Sequence, residues 1–266
     1  MARQDRWSVT SSEAMSVLVI AGRDSSGGAG VDADRDAALM CGASVKVVVT
    51  AETEQGLGGL VELGARAPED WVREAEEALE TGVSAIKFGL LPGVEHVQAA
   101  SSFITRVRAQ RPQLPVVVDP VLGPTHGGRF LEEAGVRALL EDLLPTGCVL
   151  TPNLEEAAEL TGRRAGDLSD DLPARIAASK ELIGRGAQAV ILKGGHAEGP
   201  LMDLVCEEGP EPHWLPFERA SGALRGSGCR HATILAWGLG RGQGLLEAAS
   251  EAGAQIGALM RSGGAS

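Results

Sequence analysis

Residues 225–231, Arg-Gly-Ser-Gly-Cys-Arg-His, bring together three features that can do chemistry. Small residues let the backbone turn tightly, a thiol stands among them, and the apolar run Ala232–Leu239 that follows reads as a helix. The first four amides of a helix have no partner within it and carry partial positive charge, so they suit an anion. Gly226 and Gly228 would let the backbone close on such a group, and Cys229 sits where the helix dipole favours thiolate. The same stretch also reads as a glycine turn before a small buried residue, because unreactive buried Cys is common.

Other segments offer matching parts. Gly22-Arg23-Asp24-Ser25-Ser26-Gly27-Gly28-Ala29-Gly30 lacks both the G-x-G-x-x-G and the G-x-x-x-x-G-K-[ST] patterns. It either merely turns the chain or lets Gly27, Gly28 and Gly30 approach a small ligand, with Asp24 accepting from a hydroxyl or amine. Asn153 and Glu156 lie three apart at a helix start, on one face. They can hold Mg²⁺ through waters, or form a capping box, or both. Lys193 ends an apolar run and meets Gly194 and Gly195, and its ammonium must reach solvent or an anion. His196 reads as loop.

The elements that must position these residues are legible in the periodicity. Nearly continuous apolar runs at Ser16–Ala21, Val45–Thr50, Ala85–Gly89, Pro115–Asp119, Cys148–Thr151 and Ala189–Lys193 read as strands. Helical patterns at Val31–Cys41, Pro68–Thr81, Val94–Gln110, Glu132–Leu143, Leu154–Thr161 and Pro173–Arg185 alternate with them. Such a series predicts a mostly parallel sheet with helices on both faces. Leu201–Cys206 and His213–Phe217, joined by Gly209-Pro210, predict a hairpin, and helices Gly228–Gly240 and Gly244–Arg261 close the chain. Residues 1–15 read as a loose extension and 16–266 as a single domain. An open α/β sheet binds ligands past the carboxyl ends of its strands. Asp24, Lys87, Gly89, Asp119, Thr151, Asn153, Glu156 and Lys193 all fall there.

Composition narrows the partners. Lys and Arg total 24 against 36 Asp and Glu, a net charge of −12. That excess argues against nucleic acid or an anionic membrane, both of which want a basic face. The 266 residues are 44% apolar but 3% aromatic with no Tyr, so the core must be built from Ala, Val, Leu and Ile. Cys41, Cys148, Cys206 and Cys229 form no C-x-x-C pair, no apolar run approaches the roughly 20 residues of a span, and Met1–Ser16 lacks a signal-peptide h-region. A soluble cytoplasmic protein is expected.

These segments resemble the ribokinase-like superfamily, and within it the hydroxymethylpyrimidine/phosphomethylpyrimidine kinases of thiamine biosynthesis. The matching pieces are Ile20-Ala21-Gly22, Asp24, Ser26–Gly30, Ala33-Asp34, Ile86–Leu91, Val118–Val121, Thr151–Ala157, Leu192–His196 and Gly226–Cys229, in order and spacing from about Val17 to Met260. The resemblance implies a three-layer αβα fold and an ATP- and Mg²⁺-dependent kinase. Its acceptor would be 4-amino-5-hydroxymethyl-2-methylpyrimidine and then the monophosphate of that alcohol. By the same resemblance Cys229 is the catalytic base, with Gly226 and Gly228 in the anion hole. Lys193, Gly195 and Asn153 meet ATP; Glu156, Asn153 through water, and Asp119 hold the metal. Asp24, Gly27, Gly28, Gly30, Asp32 and Lys87 line the substrate pocket, and the protein is a homodimer.

Departures from the family pattern bear on the acceptor. Asp32 stands where Gln is common, and a carboxylate only accepts where an amide also donates. Glu52-Thr53-Glu54-Gln55-Gly56 replaces an apolar stretch ending Gln-Asn, Arg230 replaces a Thr, and Arg225 a His. More acid beside the pocket favours, as an alternative, a kinase for another hydroxymethyl heterocycle such as a pyridoxal-type vitamin. A catalytically silent pyrimidine- or nucleotide-binding paralogue is the rival outside enzymology; retention of Cys229, Lys193, Asn153 and Glu156 opposes it.

Overall fold

A computed structural model describes residues 15–56, 59–124, 128–195, 201–217 and 224–263. Residues 1–14 of the expected N-terminal extension and His196 lie outside them. In chain order the elements are β1 (Ser16–Asp24), α1 (Gly30–Met40), β2 (Ser44–Gly56), β3 (Gly59–Ala65), α2 (Pro68–Leu79), β4 (Val83–Phe88) and α3 (Val94–Gln110). There follow β5 (Val116–Val118), α4 (Glu133–Ala138), β6 (Val149–Leu150), α5 (Leu154–Thr161), α6 (Ala165–Asp170), α7 (Leu172–Gly184) and β7 (Ala189–Leu192). The chain closes with β8 (Met202–Glu207), β9 (His213–Pro216), α8 (Ser227–Gly240) and α9 (Leu245–Gly263).

One sheet runs in the order β3-β2-β1-β4-β5-β6-β7-β8-β9. The pairs from β2 through β7 are parallel, while β3, β8 and β9 run antiparallel to their neighbours. Alternation along β1 shows how the layers form. Leu18 and Ile20 face a core with Trp71 of α2, Phe103 of α3 and Leu182 of α7, while Val17 and Val19 face Ala37 of α1, Leu235 of α8 and Ala252 of α9. Both faces of β1 and of β4 through β7 are therefore dry, which is why these strands read as unbroken apolar runs. This is the expected three-layer αβα arrangement with a mostly parallel sheet.

The differences have local causes. β2 does not stop at Thr50; it continues to Gly56 and pairs with β3, a strand that periodicity did not mark. In the extension Ala51 and Thr53 face inward while Glu52 and Glu54 are exposed, so this is a strand with one wet face. The predicted helix over Glu132–Leu143 begins as α4 but widens into a π turn at Leu139–Leu143 and tightens into a 3₁₀ turn ending at Thr146. The short α6, with Gly166 and two Asp in six residues, carries no helical signature in its sequence.

Candidate active site

The carboxyl edge of the parallel strands meets the N-termini of α1 and α8. Gly226, in the left-handed region at φ 70°, caps α8, and a Cβ there would stand 2.6 Å from the Gly28 carbonyl oxygen. Only glycine lets the two glycine-rich loops touch. Two arginines lock the contact. Arg225 Nη2 lies 2.9 Å from Asp24 Oδ2. Arg230 donates to the carbonyls of Arg225 and Gly28 at 2.7 and 3.3 Å, and to Asp36 Oδ2 at 2.9 Å. Asp24 is 4% exposed and also accepts from the backbone and hydroxyl of Ser26.

Behind these loops lies a cavity of about 60 Å³ whose walls include Asp24, Gly30, Thr53, Lys87, Phe130 and Cys229. α8 presents Cys229 and Thr233 one turn apart, hence on one face. The Thr233 hydroxyl donates to Asp34 Oδ1 at 2.7 Å, and the Lys87 ammonium donates to both Asp34 oxygens at 3.0 and 2.9 Å. Lys87 and Asp34 are wholly buried. Burial opposes the Lys87 charge, but Asp34, Cys229 and Asp119 together outweigh it and hold the ammonium above the usual lysine range. Burial pushes the Cys229 thiol up to about 11, against the Lys87 charge and a hydrogen bond from the Gly30 N–H at the start of α1.

A second polar group lies across Gly228. Lys193 Nζ is 2.8 Å from Asp119 Oδ1, which also accepts from Thr151 Oγ1 at 3.2 Å. A Cβ on Gly228 would fall 3.0 Å from that ammonium, so the missing side chain leaves a space between a lysine and the first turn of α8. A cation facing helix amides across such a gap fits a phosphate. Burial pushes the Glu156 carboxyl up to about 8, with Lys193 opposing and Asp119 reinforcing the rise. Asn153 Oδ1 accepts from Glu156 N and Glu156 Oε2 from Asn153 N, a complete capping box for α5. Among the described residues no three His, Cys, Asp or Glu converge as metal ligands. Glu156 and Asp119, both beside Lys193, are carboxylates that could hold a cation through water.

Several expectations need correction. Asp32 does not line the cavity: α1 turns its carboxylate outward, a third exposed and 3.6 Å from Arg35 Nη1. Glu52 and Glu54 are exposed too, and Glu52 pairs with Arg23 at 3.2 Å. The strand alternation turns Thr53, between them, into the cavity. Gly28 supports Arg225 and Gly27 turns the loop at φ 72°, and neither borders the cavity where Gly30 does. Asn153 spends its side-chain oxygen on the cap, and Gly195 is exposed beside Gly194. Sequence reasoning gave no site role to Asp34 and Thr53, which it quoted only within motifs, or to Thr233 and Phe130. A hydroxyl four residues after Cys229 was the available signal for Thr233.

Against known proteins, the family model described as phosphomethylpyrimidine kinase matches residues 24–264. A hydroxymethylpyrimidine/phosphomethylpyrimidine kinase of Streptomyces coelicolor is 36% identical over 85% of this chain and 81% of its own length. One of Rhizobium meliloti is also 36% identical, over 90% of this chain and 88% of its own. The crystal structure of phosphomethylpyrimidine kinase from Clostridium difficile 630 superposes with TM-score 0.76 at 25% identity, covering 92% of this chain and 99% of that one. A pyridoxal kinase from Staphylococcus aureus in complex with AMP-PCP and pyridoxal gives 0.77 at 27% identity, over 94% and 89%. With a matching family model over nearly its whole length and close-sized relatives above a third identical, the chain belongs to the phosphomethylpyrimidine kinase family.

Proposed function

We propose that this kinase phosphorylates the hydroxymethyl oxygen of 4-amino-5-hydroxymethyl-2-methylpyrimidine, and then the monophosphate so formed, using Mg-ATP. The observation that carries this is the cavity whose walls include Cys229, at the amide-rich start of α8, together with Asp24 and Thr53. ATP supplies the phosphoryl group and Mg²⁺ offsets the charge on its oxygens. Phosphoryl transfer then leaves the protein mainly to position and neutralise.

Each residue has a role that its surroundings support. Asp24 and the Gly30 backbone orient the pyrimidine. The amides of Gly226–Cys229 receive the oxygens that carry charge in the transition state. Lys193 orients the donor phosphates, and Glu156 with Asp119 would hold the metal. Cys229 takes the alcohol proton. Its thiol is protonated at neutral pH in the empty protein, and positive charge brought near Sγ adds to that of Lys87 and draws it toward thiolate.

The alternative of a pyridoxal-type acceptor loses its sequence support, because Asp32, Glu52 and Glu54 all face away from the cavity. A silent paralogue has no use for the Cys229, Lys87 and Lys193 arrangement. The protein is read as a cytoplasmic homodimer, and its four free thiols suit a reducing compartment. ADP release with Mg-ATP against a panel of hydroxymethylpyrimidines, their phosphates and pyridoxal vitamers tests the assignment. Turnover confined to pyridoxal vitamers would overturn the acceptor, and no turnover with any alcohol would overturn the activity.

A further inference from the structure

Lys193 emerges between two backbone anchors. On one side its own N–H donates to the Pro152 carbonyl at 2.9 Å. On the other, the Gly194 N–H donates to Asp203 Oδ1 of β8 at 2.8 Å. A Cβ on Gly194 would fall on the Met202 carbonyl oxygen and within 3.0 Å of Arg175 Nη1, so β8 presses directly against this turn.

Asp203 has no part in the site described above, yet it is only 7% exposed. Its second oxygen lies 3.9 Å from His231 Nε2 on α8, and a Cβ on Gly253 of α9 would stand 4.0 Å away. Burial pushes His231 down to about 3, so the ring stays neutral, and neither of its nitrogens has a hydrogen-bond partner among the described residues. Sheet and helices thus enclose a carboxylate that, among the described residues, accepts its hydrogen bond from the Gly194 amide. A buried polar group in that position is costly unless its bond is made.

We propose that Asp203 is a positioning residue for the nucleotide: by holding the Gly194 amide, it sets the direction in which the Lys193 ammonium meets the phosphates beside Gly228. The inference rests on the assignment of Lys193 to the nucleotide side. Removing the carboxylate takes the acceptor from the Gly194 N–H and leaves the Pro152 bond as the backbone anchor of Lys193 among the described residues, so the effect falls on ATP and spares the acceptor, whose cavity lies across Cys229. In Asp203→Asn the amide carbonyl still accepts from Gly194, and its N–H₂ can donate to His231 Nε2 when the neutral ring carries its proton on Nδ1.

The test is steady-state kinetics on purified full-length Asp203→Ala, Asp203→Asn and Lys193→Ala, with ATP affinity measured by equilibrium dialysis. Asp203→Ala should raise the ATP KM and Kd about 10-fold, the scale of a lost buried hydrogen bond to a charged acceptor. The acceptor KM should stay within about twofold, and Asp203→Asn should restore most of the ATP affinity. Equal losses for ATP and acceptor, an unchanged ATP KM, or an Asn variant as impaired as Ala would overturn the proposal. If Lys193→Ala itself leaves the ATP KM unchanged, the nucleotide assignment fails first. Should Asp203→Ala not fold, Asp203→Ser, whose hydroxyl stops short of Gly194, carries the same expectations.

Discussion

Lys87 and Asp34 are joined by two hydrogen bonds with neither side chain exposed, and Thr233 of α8 adds a third bond to the same carboxylate. The pair fastens β4 to α1 and both to the helix that carries Cys229. Its place in the fold explains two properties at once: the register of Cys229 against the cavity, and a fixed positive charge beside Sγ. Breaking a buried pair leaves the other charge uncompensated, at about 3–5 kcal/mol. Lys87→Met should therefore lower the unfolding free energy in urea by that amount. Lys87→Met with Asp34→Leu should recover much of the loss without recovering turnover. An unchanged urea midpoint in the single variant would show that the pair is structurally idle.

Cys229→Ser should lower kcat by about 10²–10⁴-fold, the range of a positioned general base, while acceptor affinity changes little. Stopped turnover assays with calorimetric binding would separate the two. Retained kcat in the Ser variant removes Cys229 from the chemistry.

Thiol alkylation checks the same residue without turnover. With its pKa raised to about 11, the empty-site thiol is protonated at pH 8, and its thiolate fraction grows as pH rises. Iodoacetamide labelling of Cys229, followed by peptide mass spectrometry, should be slower at pH 8 than for free cysteine and should keep rising beyond pH 9. A plateau by pH 8 would mean that the Lys87 charge and the Gly30 amide outweigh burial.

Glu156 both caps α5 and faces Lys193 and Asp119, and one substitution separates these duties. In Glu156→Gln the side-chain oxygen still accepts from Asn153 N, so the thermal midpoint should hold, while the Mg²⁺ concentration needed for half-maximal rate rises. Burial lifts Glu156 to about 8, above its unfolded value of 4.5, so the folded state keeps a proton that the unfolded state loses. Folding stability without metal should accordingly fall as pH climbs from about 4.5 to 8, and the Gln variant should flatten that slope. A wild-type slope of the opposite sign would show Glu156 ionised in the native protein.

Asp32→Asn should leave the acceptor KM within about twofold, as for other surface changes, because its carboxylate pairs with Arg35 outside the cavity. Asp24→Ala, which removes a cavity wall and the partner of Arg225, should raise it clearly. Comparing the two KM values for the pyrimidine alcohol decides which carboxylate the acceptor meets; a larger effect at Asp32 would contradict the geometry.

Much of this molecule was legible from the chain alone, and for definable reasons. Strands buried on both faces leave unbroken apolar runs, so β1, β4 and β7 were marked by composition, and parallel crossovers then placed Asp24, Asp119, Asn153 and Lys193 at one edge. Glycines at 226 and 228 announced a tight turn before α8 because a helix start needs no partner to be recognised. What the chain could not disclose were relations across the sheet. The outward turn of Asp32, the alternation that sends Thr53 inward between two exposed glutamates, the Lys87–Asp34 bond and the grip of Asp203 on Gly194 depend on which faces are covered. A linear pattern gives residue type and spacing along one element, whereas these pairings join residues from 9 to 53 positions apart. Only packing both faces of the sheet could select them.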